Sequence, residues 1–323
     1  MSLTADQAVA VLRAAAEPTR LRVLALLARE ELAVLELCRV LGQSQPRVSR
    51  HLKLMSDAGL VERFPDGAWV FYRLTSSPPV RGVIDKALAL VGETDAVRER
   101  DGERLALVGG ERARQADVYF ADNAARWDEI RSLHTSEAEV EAAILEAAGP
   151  GPHGRLVDLG SGSGRMLTLL GGTAGSAVGL DLSRRMLNIA RLRIVEAGLT
   201  ACELRHGDIL DTGLATGEAD LVVVHQVLHF LSDPAAALRE AARLTSAGGR
   251  LLVIDFAPHD LEFLRSEHRH RRLGFSDAEM ERWLTACGLE APTVCTLAAA
   301  TADGLTVKIW SADRSRDRVR RMA

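Results

Sequence analysis

The chain has 323 residues, enough for two domains that each bury their own core. Hydrophobic residues make up 47% of it, yet no apolar run reaches the roughly 18 residues needed to span a bilayer, and the N-terminus lacks a charged-then-apolar leader, so a cytoplasmic protein with no membrane partner is expected. The net charge of −4 is uneven: residues 1–77 hold 10 basic and 8 acidic side chains, leaving 30 and 36 of the totals of 40 and 44 for the remainder, so any nucleic-acid contact belongs to the front.

Between Asp6 and Arg29 the residues Val9, Leu12, Leu21, Leu24, Ala25 and Leu27 recur at helical spacing around Glu17-Pro18-Thr19-Arg20. Proline needs no backbone donor in a first turn, so Pro18 starts a second helix after a tight junction. A third apolar segment, Ala33 to Leu41, stops at Gly42, and Ser44 stands as N-cap of a helix from Gln45 to Ala58. There Val48, Leu52 and Met55 face the core and leave Gln45, Arg47, Ser49, Arg50 and Lys53 outward. Arg and Gln can reach base edges while Ser, Lys and further Arg hold phosphates; the same face also reads as an ordinary solvated surface. The next segment, Val61 to Leu74, tips the balance, because β-prone residues flank Pro65-Asp66-Gly67 and Asp-Gly is a strong hairpin signal. Helix-turn-helix followed by a hairpin is a winged helix.

Glu17 to Leu24, Ser44 to Leu52 and Gly59-Leu60-Val61 together resemble the ArsR/SmtB family of transcriptional regulators over about 75 residues. The resemblance implies a homodimer on a roughly palindromic double-stranded operator, usually repressing, with Ser44, Gln45, Arg47, Ser49, Arg50 and Lys53 as DNA contacts. Metal-sensing members carry two cysteines where this chain has Ala33 and Leu35, and the helix from Val80 to Val91, which resembles the dimer-forming helix, holds Asp85 and no histidine. The four cysteines, Cys38, Cys202, Cys287 and Cys295, form no C-x-x-C pair. No metal site is expected.

From Gly92 to Gln115 the chain turns charged, and Gly109-Gly110 offers a flexible point, so a linker is predicted. Asp117 to Leu133, with Tyr119, Phe120, Trp127 and Ile130, reads as an amphipathic helix whose aromatics pack.

An apolar strand, Leu156-Val157-Asp158-Leu159, then runs into Gly160-Ser161-Gly162-Ser163-Gly164 and a helix. Such glycines let backbone approach a ligand closely, in nicotinamide-binding domains as well as others. A second strand, Ala177 to Leu180, ends in Asp181, where a carboxylate can accept both ribose hydroxyls. A third, near Glu203-Leu204, leads to Asp208-Ile209, and a fourth, Ala219 to Val224, to His225-Gln226-Val227-Leu228-His229. A strand over Gly249 to Phe256, a helix across Ser276 to Cys287 and strands around Thr293 to Leu297 and Leu305 to Ser311 complete the pattern.

This ordered set resembles class I S-adenosylmethionine-dependent methyltransferases over about 155 residues. The implied fold class is α/β, a Rossmann-like seven-stranded sheet with one antiparallel strand, behind the winged-helix front. Domains are expected at 1–78 (winged helix-turn-helix), 79–116 (dimerisation helix and linker), 117–312 (methyltransferase domain) and 313–323 (basic tail). The cofactor implied is S-adenosylmethionine or S-adenosylhomocysteine: Asp158, Gly160, Ser161, Gly162 and Gly164 at the methionine end, Asp181 and Leu182 at the ribose, Asp208 and Ile209 at the adenine, His225 and Gln226 beside the sulfonium. In such proteins the helix before the sheet folds over the cofactor as a lid.

Methyl transfer is an in-line displacement that needs a base only when the acceptor must lose a proton. His225 and His229 are the catalytic candidates; Asp255 and His259 also follow strand ends and read equally as structural or solvated residues. His268 and His270, inside the Arg-rich run Arg265 to Arg272, read as a solvated face. Two functions are compatible with these motifs. One is a DNA-binding regulator whose methyltransferase-type domain senses the ligand, with control of methionine or methyl-cycle genes; the other is a working methyltransferase of a small molecule coupled to a DNA-binding domain.

Overall fold

The structure is a computed structural model describing residues 3–66, 69–75, 77–91, 95–123, 137–299 and 304–316, with backbone alone at 65, 66, 69 and 112–123. The chain divides into two compact units, Met1–Arg114 and Gln115–Ala323.

The first unit comprises α1 (Ala5–Ala15), α2 (Pro18–Leu27), β1 (Leu32–Ala33), α3 (Val34–Leu41), α4 (Gln45–Asp57), β2 (Val61–Asp66), β3 (Trp69–Leu74), α5 (Pro78–Ala89) and the start of α6 (Ala96–Asn123). Local chemistry sets the boundaries. Glu17 accepts the Arg20 N–H at 2.9 Å ahead of Pro18, and Gly42 ends α3 at φ +66°, a left-handed conformation that costs glycine nothing. Antiparallel β2 and β3 form the wing, and β1 pairs with β3 on its other side; Gly67, in the expected turn, lies outside the described residues.

Three features differ from the sequence-based expectation. Val9 and Leu12 of α1 are 44% and 55% exposed, and Val11 and Ala15 make its core contacts instead. Gly109 and Gly110 lie within α6, so the expected flexible point is helical. Nor does the first core close at residue 78, because Val80 and Ile84 of α5 and Leu105 and Val108 of α6 pack into it. Polar bonds fix α6 there: Asp101 takes two bonds from Arg22, and Arg104 donates to the Val40 carbonyl at 3.2 Å. Trp127 and Ile130, and with them the second half of the expected lid helix, lie outside the described residues.

The second unit is a seven-stranded sheet of order β6-β5-β4-β7-β8-β10-β9, where β4 is His153–Leu159, β5 Ala174–Asp181, β6 Cys202–His206, β7 Ala219–His225, β8 Thr245–Phe256, β9 Thr293–Leu297 and β10 Val307–Asp313. All pairs are parallel except those of β10 with β8 and β9. Alternation sends Val157, Leu159, Val222, Val224 and Val253 into one core layer and Leu156, Leu221, Val223, Leu252 and Ile254 into the other. Helices Pro234–Leu244 and Asp277–Ala286 cover the first layer; Glu137–Ala148 and Arg165–Leu170 cover the second. The strand order reverses between β4 and β7, and ligands of open α/β sheets bind beyond the carboxyl ends at such a switch point.

Asp313, expected to begin the basic tail, instead ends β10 and accepts two bonds from Arg250 at 2.6 and 2.9 Å, while Arg314 donates to the Ala242 and Thr245 carbonyls. Residues 317–323 lie outside the described residues. No helix among the described residues is long and apolar enough to cross a membrane.

Candidate DNA-contacting face and cofactor site

α4 divides cleanly by side. Val48, Leu52 and Met55 are fully buried, while Ser44, Gln45, Arg47, Arg50 and Lys53 are exposed and Ser49 is half-buried. Ser44 occupies the N-cap in extended conformation, but its hydroxyl makes no cap bond. Pro46 stands in the first turn, where it needs no backbone donor.

At the switch point, Gly160 and Ser161 both donate their N–H to the Leu180 carbonyl at 2.8 Å, which folds the loop back over β5. Gly160, Gly162 and Gly164 all have positive φ (+73°, +50° and +81°). Two are also sterically locked: a Cβ at Gly160 would sit 2.4 Å from a Val227 methyl, and one at Gly164 2.9 Å from Ala190 Cβ. Packing of Val227 on Gly160 brings the loop after β7 against the glycine loop.

Asp181, at the end of β5, pins this loop. Its Oδ2 accepts the Gly162 N–H at 2.8 Å and its Oδ1 the Ser183 N–H at 2.7 Å. A carboxylate oxygen can accept more than one hydrogen bond, so the Asp181 carboxylate is of the right chemistry to meet hydroxyl groups. Ser161 Oγ is buried with no hydrogen-bond partner among the described residues, a polar group in the loop that a bound molecule would satisfy. Asp158 is buried at the end of β4. These features fit a nucleoside ligand whose ribose meets Asp181.

Beyond β6, Asp208 is exposed and spends Oδ1 on the Leu210 N–H at 2.9 Å. Ile209 is turned into the core and only 5% exposed, so it offers a flat ring no more than an edge. Leu182 and Leu210, at 53% and 41%, are the open apolar side chains next to Asp181 and Asp208; Leu210 has no signal in the sequence beyond its position. His225 ends β7 half-buried, and Gln226 follows at φ +52° with its N–H donated to the Ile254 carbonyl at 2.7 Å. A non-glycine residue in the left-handed region is strained, and such strain clusters at functional sites.

The Arg-rich run is a solvated face only in part, with Ser266, Glu267 and Arg269 exposed and His268 half-buried. His270 and Arg272 are buried, Arg272 bonding Glu279 at 3.1 and 3.2 Å and lying over the Phe275 ring. His229 is also buried, 2.7 Å through Nδ1 from Asp255 Oδ1, and its ring stacks on His270 with centroids 4.1 Å apart. Its backbone carbonyl accepts the Arg271 and Arg272 N–H groups, which ties this segment over the ends of β7 and β8. Burial first, then the nearby His229 and Arg265, push the His259 imidazole down to about 4, and burial likewise lowers His270. Burial, then the charge of Asp158, pushes the Cys202 thiol up to about 11, the wrong direction for a thiolate ligand. No group of three His, Cys, Asp or Glu side chains among the described residues is placed to hold a metal.

Residues 17–63 match the family model described as bacterial regulatory protein, arsR family, and residues 157–253 match that of a methyltransferase domain. An uncharacterized 37.1 kDa protein in transposon TN4556 of Streptomyces fradiae is 31% identical over 64% of this chain and 62% of its own length. The arsenical resistance operon repressor of Escherichia coli is 44% identical over 22% of this chain and 64% of its own, and an arsenite methyltransferase of Aquipseudomonas alcaligenes 35% over 31% and 32%. The chain thus spans under two thirds of each of these relatives. A solved complex of the Trm112 methyltransferase activator and a methyltransferase from Haloferax volcanii aligns with 62% of this chain and 97% of the matched chain, at TM-score 0.51 and 23% identity, a likeness of fold.

Proposed function

From the premise that this chain joins an arsR-family helix-turn-helix segment to a methyltransferase domain, we propose that it is a DNA-binding transcriptional regulator, acting in the cytoplasm as a repressor, whose second unit binds S-adenosylmethionine or S-adenosylhomocysteine as a signal. The observation that carries the proposal is α4, where the side chains of Arg47, Arg50 and Lys53 are exposed and make no hydrogen bond or ion pair among the described residues, while Val48, Leu52 and Met55 on the opposite side are fully buried. Three cations held ready on a rigid helix suit a phosphate-lined groove. A homodimer is part of the reading, supported by Val9 and Leu12, apolar, exposed and one turn apart on α1. Asp181 would hold the ribose, and Gly160 to Gly164 with Asp158 the methionine end; the bound sulfonium, if it is S-adenosylmethionine, supplies an activated methyl group.

Calorimetric titration of both ligands into the full chain, with and without DNA from its own promoter region, tests this. A ligand affinity that shifts when DNA is present makes the second unit a sensor by linkage. Equal affinity in both states removes the sensing role.

The second reading, a working methyltransferase, is favoured by one specific observation: the buried pair of His229 and Asp255 at the carboxyl ends of β7 and β8. Arsenic as the methyl acceptor finds no support in the cysteines, since Cys202 is held as a thiol and no thiolate cluster occurs among the described residues.

A further inference from the structure

The ends of β7 and β8 gather more unsatisfied polar chemistry than a core tolerates without a purpose. Asp255 is fully buried; its Oδ1 faces His229 Nδ1 at 2.7 Å and accepts the Phe256 N–H at 2.8 Å, while Oδ2 has no partner among the described residues. His270 is over nine-tenths buried, stacks on His229, and its Nδ1 is without a partner there too. So is His259 Nε2, although His259 Nδ1 accepts the Leu261 N–H at 3.3 Å. Three orphaned polar atoms in one cluster, each expensive to bury, mark a place where a polar molecule is received.

The three imidazoles are not equivalent. Burial first, with Arg265 and the neighbouring imidazoles, lowers both His259 and His270; Asp255 and Asp260 act the other way on His259, and His268 acts with the burial on His270. His229 alone has a carboxylate on one ring nitrogen. Asp255 keeps the proton on Nδ1, which leaves the Nε2 lone pair as the basic position and gives the imidazolium a counter-charge once it forms. Phe230 and Phe256 flank its ring with centroids 4.1 and 5.1 Å away, an aromatic wall around a polar point.

We propose that His229 is the general base of an acceptor site, that Asp255 is its positioning residue, and that the acceptor is a phenolic hydroxyl compound. The proposal rests on the methyltransferase reading above. In the step, the acceptor oxygen forms a bond to the methyl carbon as the carbon–sulfur bond breaks, the sulfonium leaves as a neutral thioether, and the hydroxyl proton moves to His229 Nε2. No other reactant is required.

The test uses the full chain with S-adenosylmethionine and two probes of different acidity: catechol, protonated at neutral pH, and 4-nitrocatechol, largely ionised there. Ligand affinity is measured first, by calorimetry, on wild type, His229→Asn and Asp255→Asn. With binding intact, the His229 variant is expected to lose about 100-fold or more in the rate with catechol, the scale of general-base catalysis, and under about tenfold with 4-nitrocatechol; Asp255→Asn should follow the same selective pattern more weakly. Equal losses on both probes, no loss on catechol, or no methylation of either probe by protein that binds the ligand overturns the proposal. Failure of wild type to bind the ligand sinks the underlying reading instead. Should the variants not fold, wild type still decides, since a base at work gives a solvent deuterium isotope effect with catechol and none with 4-nitrocatechol, and equal effects overturn the assignment.

Discussion

Arg22 on α2 grips Asp101 on α6 through two bonds, Nε to Oδ2 at 2.6 Å and Nη2 to Oδ1 at 2.7 Å, across 79 positions of sequence. The Asp101 side chain is only 6% exposed, so removing its partner would strand a charge in a poorly solvated place. Arg22→Ala should therefore cost about 3 kcal/mol of stability in the first unit. Arg39→Ala, which breaks the exposed and solvent-screened pair with Glu111, should leave stability nearly unchanged. Urea denaturation of both variants checks the contrast; similar losses would mean that α6 is held by its apolar contacts alone.

Arg47→Ala and Arg50→Ala should each weaken operator binding by roughly 1 to 3 kcal/mol if they read bases, with the fold unchanged because neither side chain supports the core. Lys53→Ala should act more uniformly across DNA sequences and lower the salt dependence of binding. Fluorescence anisotropy over a salt series separates the two behaviours, and unchanged binding in both arginine variants removes α4 from the interface.

In the second unit, Asp181→Ala removes both the proposed ribose acceptor and the bonds that pin Gly162 and Ser183. A loss of roughly 1.5 to 3 kcal/mol in ligand affinity is expected. Gly164→Ala should fail differently, by destabilising the unit itself, because its φ of +81° and the nearby Ala190 leave no place for a methyl group. Calorimetry and thermal melts distinguish a lost contact from a broken loop.

Acid sensitivity has a defined window. An unfolded histidine titrates near 6.5, whereas burial pushes His259 down to about 4. Between those values the unfolded chain holds a proton that the folded chain refuses, so stability falls as pH drops from about 6.5 to about 4. Glu240 works lower: Arg243 chiefly, then Thr212, outweigh its burial and hold its carboxyl at about 2. Its contribution is present above roughly 4.3 and is lost as pH falls toward 2. His259→Gln should make the first slope shallower without abolishing it, because His270, also lowered by burial, still refuses the proton that its unfolded form takes up, as read by urea midpoints at pH 7, 5 and 3.

What was legible in the sequence was whatever local periodicity or a special backbone shape writes down. Val48, Leu52 and Met55 lie three and four apart and are buried together, and the glycines before Arg165 have the positive φ that only glycine takes readily. What was not legible depended on partners far along the chain. Gly109-Gly110 reads as a break because glycine disfavours helices, yet Leu105 and Val108 anchor the preceding turns in a core built from residues up to 97 positions earlier. His270 reads as solvated amid arginines, but Arg272 has Glu279 and Phe275 to neutralise and cover it, so the segment can be buried. Ile209 follows the adenine pattern in sequence and faces the core in space, since the short strand Cys202–His206 ends too soon to set its direction.

Gln226 occupies a backbone conformation, φ +52°, that glycine would take without strain. Replacing it with glycine should raise thermal stability by up to about 1 kcal/mol, unless the added freedom of the unfolded chain cancels the gain. A designer seeking only a hardier protein would make that change first. Position 226 thus separates two readings of one residue: if glycine there weakens ligand binding while the fold hardens, the side chain is kept for contact, and if binding is unchanged the strain is idle.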